Sequence, residues 1–340
     1  MWTWRAGTPA LVALALCLTD EPLAGQVRSL AQDTTLDNLV HPPGYRAAAW
    51  GALGAVRKVG HGAGRMLLIP GLGFGGGVFD EFMAPRKEEF TMYAVTLPGF
   101  DGTEAPPMPP APSSYADTPW TRSATQAILG LMDRERIGPA VLVAHWGLGT
   151  QIALRLVLDH PERFQALILI GGVAKSYFAG TPGMLTWTPA QRAAFADGLG
   201  RRWFKTVTRR TWDDQNFMTY DYAVNPLRAL FLWREAAIPP LPVWIRYLLE
   251  FYAVDPTPEL ARLRVPTLVV KPGFDDPGFY AEPGRDYMRD LTHGSWSGIE
   301  GTVPAIEFVT IPGARLFVMH DRPEELDRTV KAFLAKHLRR

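Results

Sequence analysis

One segment of the chain, residues 292–300, brings several groups capable of nucleophilic chemistry within a few positions of one another. It contains His293, Ser295, Ser297 and Glu300, interspersed with glycines. A hydroxyl becomes a nucleophile when an imidazole takes its proton and a carboxylate orients that imidazole. These residue types therefore suit a catalytic site. The same groups in a glycine-rich loop are also ordinary turn formers, so both interpretations stay open.

A second candidate lies where the apolar run 140–145 ends in His145, followed by Trp146 and Gly147. Histidine titrates near neutral pH, so His145 could act as a general base at the end of a strand. It could equally be a packing residue of the turn. Trp146 could stack on a flat ligand or simply fill space, because an indole offers one N–H donor and a large apolar surface.

Composition limits the class of protein and its partners. The chain has 340 residues, 47% of them hydrophobic, which is enough for one large domain or two smaller ones with a sizeable core. Its 35 basic residues nearly balance 34 acidic ones without a long run of either sign, so a nucleic acid is not expected as a partner. Cys17 is the only cysteine, and no histidine pair has metal-ligand spacing. We therefore expect no disulfide framework and no metal.

Glycines in residues 71–77 superficially suggest a phosphate-binding loop. No Lys-Ser or Lys-Thr follows them, which excludes a P-loop. The spacing Gly71-x-Gly73-x-x-Gly76 occurs without an acid at the end of the next strand, which argues against a dinucleotide site. We expect no cofactor.

Strand and helix patterns alternate along most of the chain and predict an α/β fold with a mostly parallel central sheet flanked by helices. Predicted strands include 66–69, 92–97, 140–145, 166–170 and 265–270, with a last strand region at 306–311 and 316–319. Residues 173–263 are instead helical in pattern, broken by prolines and rich in aromatics, and predict an inserted helical cap. The predicted core is thus in two parts, residues 27–172 and 264–340.

The first 26 residues have the pattern of a secretory signal peptide. Arg5 precedes an apolar run over residues 10–18, and small residues follow. That run is too short to span a bilayer, so we expect no integral membrane span after processing. Export to the periplasm or the medium is the prediction, with a cytoplasmic location as the alternative.

Four landmarks resemble the α/β-hydrolase superfamily, of the serine-hydrolase-like type that bears a lid. They are residues 67–71, residues 96–102, residues 141–156, and residues 265–270 followed by Asp275 and Asp276. The resemblance implies an esterase- or lipase-like ancestry, with Asp275 or Asp276 as the triad acid. It also implies an oxyanion loop at Gly71 and Leu72, the latter lending its backbone N–H.

The resemblance also indicates where the family's catalytic serine and histidine would lie, and this sequence has neither residue there. The family's G-x-S-x-G turn corresponds to residues 145–149, where the strand match puts Trp146 at the serine position, and counting back from residues 160–163 puts Gly147 there. Leu148 follows in this turn, which we call the elbow. Seven positions before Pro323, where the family commonly has its histidine, is Leu316; His320 lies four positions later. The resemblance therefore implies a degenerate triad.

Two main hypotheses follow. In the first, the chain binds a hydrophobic small molecule, possibly an ester, between the sheet edge and the cap, without serine chemistry. In the second, it is an active hydrolase or lyase that pairs Asp275 or Asp276 with His145, His293 or His320. A non-catalytic exported scaffold that presents its cap to a protein partner is a third possibility.

Overall fold

The computed structural model describes residues 47–109, 113–216, 219–282 and 285–338. The predicted signal peptide lies outside these residues. Seven strands form one sheet in the order β1-β3-β2-β4-β5-β6-β7. The strands are β1 Ala55–Val59, β2 Gly64–Ile69, β3 Phe90–Thr96, β4 Ala140–His145, β5 Phe164–Ile170, β6 Thr267–Pro272 and β7 Ile306–Ile311.

The sheet is parallel except at one edge, where β1 pairs antiparallel with β3. All six residues of β4 are buried, as expected of a parallel strand covered on both faces. The predicted fold class is thus confirmed. Because parallel strands point the same way, their carboxyl ends lie along one sheet edge, where open α/β sheets place their sites.

The α-helices are α1 Asp80–Met83, α2 Pro119–Arg134, α3 Leu148–Asp159, α4 Pro189–Thr206, α5 Arg209–Asn216, α6 Thr219–Tyr222, α7 Pro226–Ala236, α8 Leu241–Ala253, α9 Pro277–Tyr280, α10 Tyr287–Gly294, α11 Val318–Asp321 and α12 Pro323–His337. Short 3₁₀ turns occur at Gly76–Phe79, Ala84–Arg86, Tyr115–Asp117, Pro161–Arg163, Pro182–Thr186 and Thr257–Arg262. Helices α4 to α8 lie between β5 and β6 in the chain, and we call them the inserted helices. None of the helices in the described ranges is long and apolar enough to cross a membrane.

Two sequence predictions about local structure are wrong. Residues 316–319 do not extend the last strand, because the backbone N–H groups of Leu316 and Phe317 donate to the backbone carbonyl oxygens of Asp221 and Tyr222 in α6, at 3.1 and 2.9 Å. Those bonds tie the segment to the inserted helices, and α11 begins at Val318. In addition, the segment 292–300 is not wholly a loop, since α10 continues through His293 to Gly294.

Candidate functional site

The turn between β4 and α3 is very tight. Only Trp146 and Gly147 separate the two elements, and both have a positive φ, 32° and 51° respectively. Gly147 is the N-cap of α3 with ψ −116°, a conformation that residues with a Cβ rarely adopt. Gly149 cannot carry a side chain either, because a Cβ there would lie 2.5 Å from the carbonyl oxygen of Pro70. The turn therefore depends on glycine at positions 147 and 149, and it also holds Trp146 at a positive φ that side-chain-bearing residues rarely adopt.

Both residues of the turn border the same cavity. A Cβ added to Gly147 would have as its nearest neighbour the Cζ atom of Phe251, at 3.7 Å, so there is room for a small side chain. Phe251 lines a cavity beside the turn. Trp146 lines the same cavity and is only 8% exposed. Its Nε1 is buried and makes no hydrogen bond with the described residues.

The glycine loop after β2 packs directly on this turn. A Cβ at Gly71 would come within 3.0 Å of His145 Nδ1 and 3.4 Å of Trp146 Cε3. Leu72 is buried and lines the cavity. The residues predicted from the resemblance as an oxyanion loop therefore lie against the elbow, with Trp146 between the two segments.

His145 is a core residue. Its ring is fully buried, 4.3 Å from the ring of Phe317 and 6.4 Å from that of Phe74. Its Nε2 donates to the carbonyl oxygen of Leu316 at 3.2 Å, and burial lowers its pKa to about 3. The imidazole is neutral at pH 7 and does not line the cavity. The sequence left His145 open between base and packing residue, and these contacts favour packing.

Leu316 is completely buried, and its backbone is hydrogen-bonded both to α6 and to His145 at the end of β4. Its N–H donates to the backbone carbonyl oxygen of Asp221 in α6, and its own carbonyl oxygen accepts from Nε2 of His145. The position where the resemblance expects a catalytic histidine therefore links the elbow strand to the inserted helices. A leucine supplies no titratable group there.

His320 forms a pair with a carboxylate that sequence spacing did not indicate. Its Nδ1 lies 2.9 Å from Glu81 Oε2 on α1, and its ring stacks on Phe317. Burial lowers the pKa of His320 despite the hydrogen bond to Glu81. Neither residue lines the cavity.

Asp275 and Asp276 line a second cavity of about 270 Å³ with Arg315 and Arg322, but no predicted histidine lines it. Asp275 Oδ1 accepts from the N–H of Gly313 at 2.8 Å, and Asp276 caps α9 by accepting from the N–H groups of Gly278 and Phe279. Both aspartates are exposed. In the described part of the chain no histidine forms a hydrogen bond or ion pair with either of them. They act here as turn and cap residues.

The groups of residues 292–300 also find separate partners. His293 Nε2 donates to the carbonyl oxygen of Pro272 at 2.8 Å, and Glu300 accepts from Lys271 Nζ at 2.7 Å. Ser295 is buried, with its Oγ 3.4 Å from the carbonyl oxygen of Thr292. Ser297 is exposed. The contacts do not assemble a nucleophile, base and acid in this segment.

A cavity of about 90 Å³ lies between the elbow and the inserted helices. We call it the aromatic cavity. It is lined by Leu72, Trp146, Arg209, Trp212, Asp213, Tyr222, Trp233, Ala236, Ala237, Trp244, Leu248, Phe251, Tyr252, Tyr287, Met288 and Leu291.

Most of this lining is apolar or aromatic, and its polar groups are few. Arg209 Nε and Asp213 Oδ2 pair with each other at 2.9 Å. Burial raises the pKa of Tyr222 and Tyr252 above the usual range, so their phenols remain protonated. An apolar wall with few polar groups is typical of a site for a small hydrophobic ligand. The aromatics of residues 173–263 predicted such a wall if their rings faced the elbow.

Asp221 is the titratable residue that sequence reasoning missed. Its side chain is buried, its Oδ1 makes no hydrogen bond with the described residues, and burial raises its pKa to about 8 despite Arg315 and Arg285. It sits on α6, next to the cavity residue Tyr222. An Asp in a short helix of the insertion carries no motif, so only the fold reveals its burial.

No group of three or more His, Cys, Asp or Glu residues that could hold a metal ion occurs within the described ranges.

A seven-stranded, mostly parallel sheet with a strand–turn–helix at its centre and helices inserted after β5 defines the α/β-hydrolase class of fold. The sequence matches the model of the Alpha/beta hydrolase family over residues 66–329. The chain belongs to this family. Comparison with curated proteins gives no match.

Solved structures show the same architecture. An esterase from Thermogutta terrifontis is 19% identical, covers 83% of this chain and 93% of its own, and has a TM-score of 0.59. An enol-lactonase from Burkholderia xenovorans LB400 is 20% identical, with 83% and 96% covered and a TM-score of 0.55. A bromoperoxidase from Bacillus anthracis is 16% identical, with 82% and 94% covered and a TM-score of 0.58. At these identities the likenesses establish the fold alone.

Proposed function

We propose that this chain is an α/β-hydrolase-fold protein that binds a hydrophobic small molecule or ester in the aromatic cavity and does not use serine chemistry at its elbow. The observation that carries the proposal is Gly147. It occupies the strained turn where an added Cβ would point toward the cavity residue Phe251, and it has no side chain to act as a nucleophile.

The surroundings of the elbow support the same proposal. His145 is buried and neutral, and Leu316 stands where a base would be expected. The carboxylate that lines the cavity, Asp213, is already paired with Arg209. Trp146 adds a large apolar surface where a reactive group would have to act.

The size of the cavity restricts the ligand. Its volume of about 90 Å³ is smaller than the roughly 150 Å³ of an engineered cavity that admits benzene. The cavity therefore has room for a short acyl group, and an aryl ester would extend from it toward solvent past the inserted helices. Named relatives of this fold include an esterase and an enol-lactonase, which supports an ester-like ligand.

Ala237 offers a direct test of binding. It lines the cavity at the C-cap of α7, so Ala237→Phe should fill the space and weaken the binding of phenyl acetate, followed by quenching of tryptophan fluorescence. Ala281→Phe is the matched control, because Ala281 is an exposed C-cap residue of α9 outside the cavity lining. Equal loss of binding in both variants, or in neither, would contradict the proposal.

Turnover separates this proposal from that of an active enzyme with a relocated constellation. We expect the wild-type chain to bind phenyl acetate without hydrolysing it above the background rate. Hydrolysis that survives Ser295→Ala and Ser297→Ala but disappears in Asp275→Asn or Asp276→Asn would favour the second hypothesis, in which one of these aspartates and a histidine activate water.

A further inference from the structure

The second cavity, which contains Asp275 and Asp276 in its wall, lies beside the loops that follow β6 and β7. These loops leave the carboxyl ends of parallel strands, where open α/β sheets commonly place binding sites. The cavity shares no lining residue with the aromatic cavity. Its volume of about 270 Å³ exceeds the roughly 150 Å³ of an engineered cavity that admits benzene. We call it the charged cavity.

Four side chains of opposite charge line the charged cavity without pairing with one another. Two are the guanidinium groups of Arg315 and Arg322, and two are the carboxylates of Asp275 and Asp276. None of the four forms an ion pair with any described residue. Opposite charges attract most strongly in direct contact, so unpaired charges in one cavity leave that attraction available to a ligand.

The two guanidinium groups are held in place by the main chain. Arg315 Nη1 donates to the carbonyl oxygens of Tyr220 and Ala223, at 2.6 and 3.3 Å. Arg322 Nε donates to the carbonyl oxygen of Pro312 at 3.2 Å. Nη2 of Arg315 and both Nη atoms of Arg322 donate to no group in the described part of the chain. Positioned guanidinium groups with free N–H donors are suited to binding a carboxylate.

The turn after β7 leaves the space that Arg322 needs. Gly313 has a φ of 65°, and a Cβ added to it would lie 2.1 Å from Nη2 of Arg322. A side chain at position 313 would therefore displace the guanidinium from the wall of the cavity.

The two carboxylates are positioned in a similar way. Asp275 Oδ1 accepts from the N–H of Gly313 at 2.8 Å. Asp276 Oδ1 accepts from the N–H groups of Gly278 and Phe279, both at 3.1 Å. The Oδ2 atoms of both aspartates have no hydrogen-bond partner among the described residues. Because an ammonium group has three donors and no acceptor, these oxygens are suited to bind one.

Other charged groups near the charged cavity already have partners within the chain. They form the ion pairs Arg285–Glu282 and Arg289–Asp290. Asp321 does not line the cavity, and its two carboxylate oxygens accept from the N–H groups of Val224 and Arg315. Burial raises the pKa of Asp221 to about 8, so its carboxyl group is mostly protonated at pH 7. The two arginines and two aspartates of the lining therefore determine which ligand the cavity accepts.

We propose that the charged cavity binds a small zwitterion, an α-amino acid with an apolar side chain. The two arginines bind its carboxylate, and the two aspartates bind its ammonium group. Its side chain packs against Val224 and Phe274, which are apolar residues of the same lining. A ligand with a single charge would leave one pair of protein charges without a partner, whereas a zwitterion satisfies both pairs. This binding is independent of the ligand proposed for the aromatic cavity.

The test is isothermal titration calorimetry of the full chain at pH 7 with three ligands of similar shape. L-Leucine carries both charges, N-acetyl-L-leucine carries the carboxylate alone, and L-leucinamide carries the ammonium group alone. Hydrogen bonds to charged groups are worth about 1.5–3 kcal/mol, so L-leucine should bind about tenfold or more tightly than either analogue. No binding of L-leucine, or equal binding of all three ligands, would overturn the proposal.

Two variants assign each charge of the ligand to its partners. Arg322→Gln should weaken L-leucine about tenfold and leave L-leucinamide unchanged, because only the carboxylate loses a partner. Asp276→Asn should weaken L-leucine and L-leucinamide and leave N-acetyl-L-leucine unchanged, and an asparagine still caps α9. Arg122→Gln is the matched control, since Arg122 is exposed on α2 outside the cavity lining. Equal losses in Arg122→Gln and Arg322→Gln, or unchanged L-leucine binding in both cavity variants, would also overturn the proposal.

Discussion

His145 and Asp221 are buried titratable residues whose pKa shifts act on stability in opposite directions. The pKa of His145 is lowered to about 3, so below its ordinary value the unfolded chain binds a proton that the folded chain does not. Stability is therefore lost as the pH falls from the ordinary histidine value toward 3. The pKa of Asp221 is raised to about 8, so the folded chain holds a proton that the unfolded chain releases. The stability that Asp221 contributes is therefore lost as the pH rises toward 8.

The two effects overlap in the mildly acidic range. Each changes the free energy of unfolding by about 1.4 kcal/mol per pH unit, so from about pH 4.5 to about pH 6 each contributes about 2 kcal/mol, with opposite sign. In the wild type they largely cancel. His145→Gln keeps a donor for the Leu316 carbonyl oxygen and removes the titration, so the free energy of unfolding of this variant should fall as the pH rises. Asp221→Asn should show the reverse slope.

Urea unfolding at a series of pH values, followed by tryptophan fluorescence, measures these slopes. The informative quantity is the change of slope relative to wild type, because each substitution also shifts the baseline stability. Ala281→Gln provides a control, because it changes an exposed residue that carries no titratable group, and it should leave the slope unchanged. An unaltered slope in His145→Gln would refute the conclusion that this imidazole is a buried neutral packing group, and would reopen its role as a base.

Three further predictions concern the elbow, the cavity and the core. Gly147→Ser combined with Leu316→His should raise hydrolysis of p-nitrophenyl acetate above background, with each single variant silent; a folded but silent double variant would contradict the inherited geometry. Trp146→Ala should destabilise the fold by about 3–5 kcal/mol and admit naphthyl esters that the wild type excludes, as fluorescence titration would show. Glu250→Ala should cost about 3–5 kcal/mol in urea unfolding, because this fully buried carboxylate accepts hydrogen bonds from several donors. The half-exposed Glu259→Ala should cost at most about 1 kcal/mol, and equal costs would be inconsistent with the burial of Glu250.

The sheet was predictable from the sequence because its signals are local. The apolar run 140–145 becomes the fully buried β4, and the glycines that follow form the sharp turn into α3. Spacing could not decide whether Trp146 or Gly147 occupies the serine position, because the preceding strand indicated Trp146 and counting back from residues 160–163 indicated Gly147. The backbone torsions of Gly147 and the space beside it favour Gly147 as the serine position.

Contacts between distant segments could not be predicted. Asp275 and Asp276 follow β6 as expected for a triad acid, yet their carboxylates bond to nearby backbone N–H groups. The pair formed by His320 and Glu81 joins residues far apart in sequence. Asp221 is buried on α6, whose backbone is hydrogen-bonded to the distant residues 316–317. None of these three arrangements leaves a periodic pattern in the chain.

The most direct test of the account is to treat the wild-type chain with a fluorophosphonate and to measure its intact mass. Such a probe forms a covalent bond with a serine that has been activated as a nucleophile. We predict no adduct on the wild type, and an adduct on the Gly147→Ser, Leu316→His variant that maps to the new serine. A stoichiometric adduct on the wild type, mapped to Ser295, Ser297 or any other serine, would contradict the proposal that this chain does not use serine chemistry.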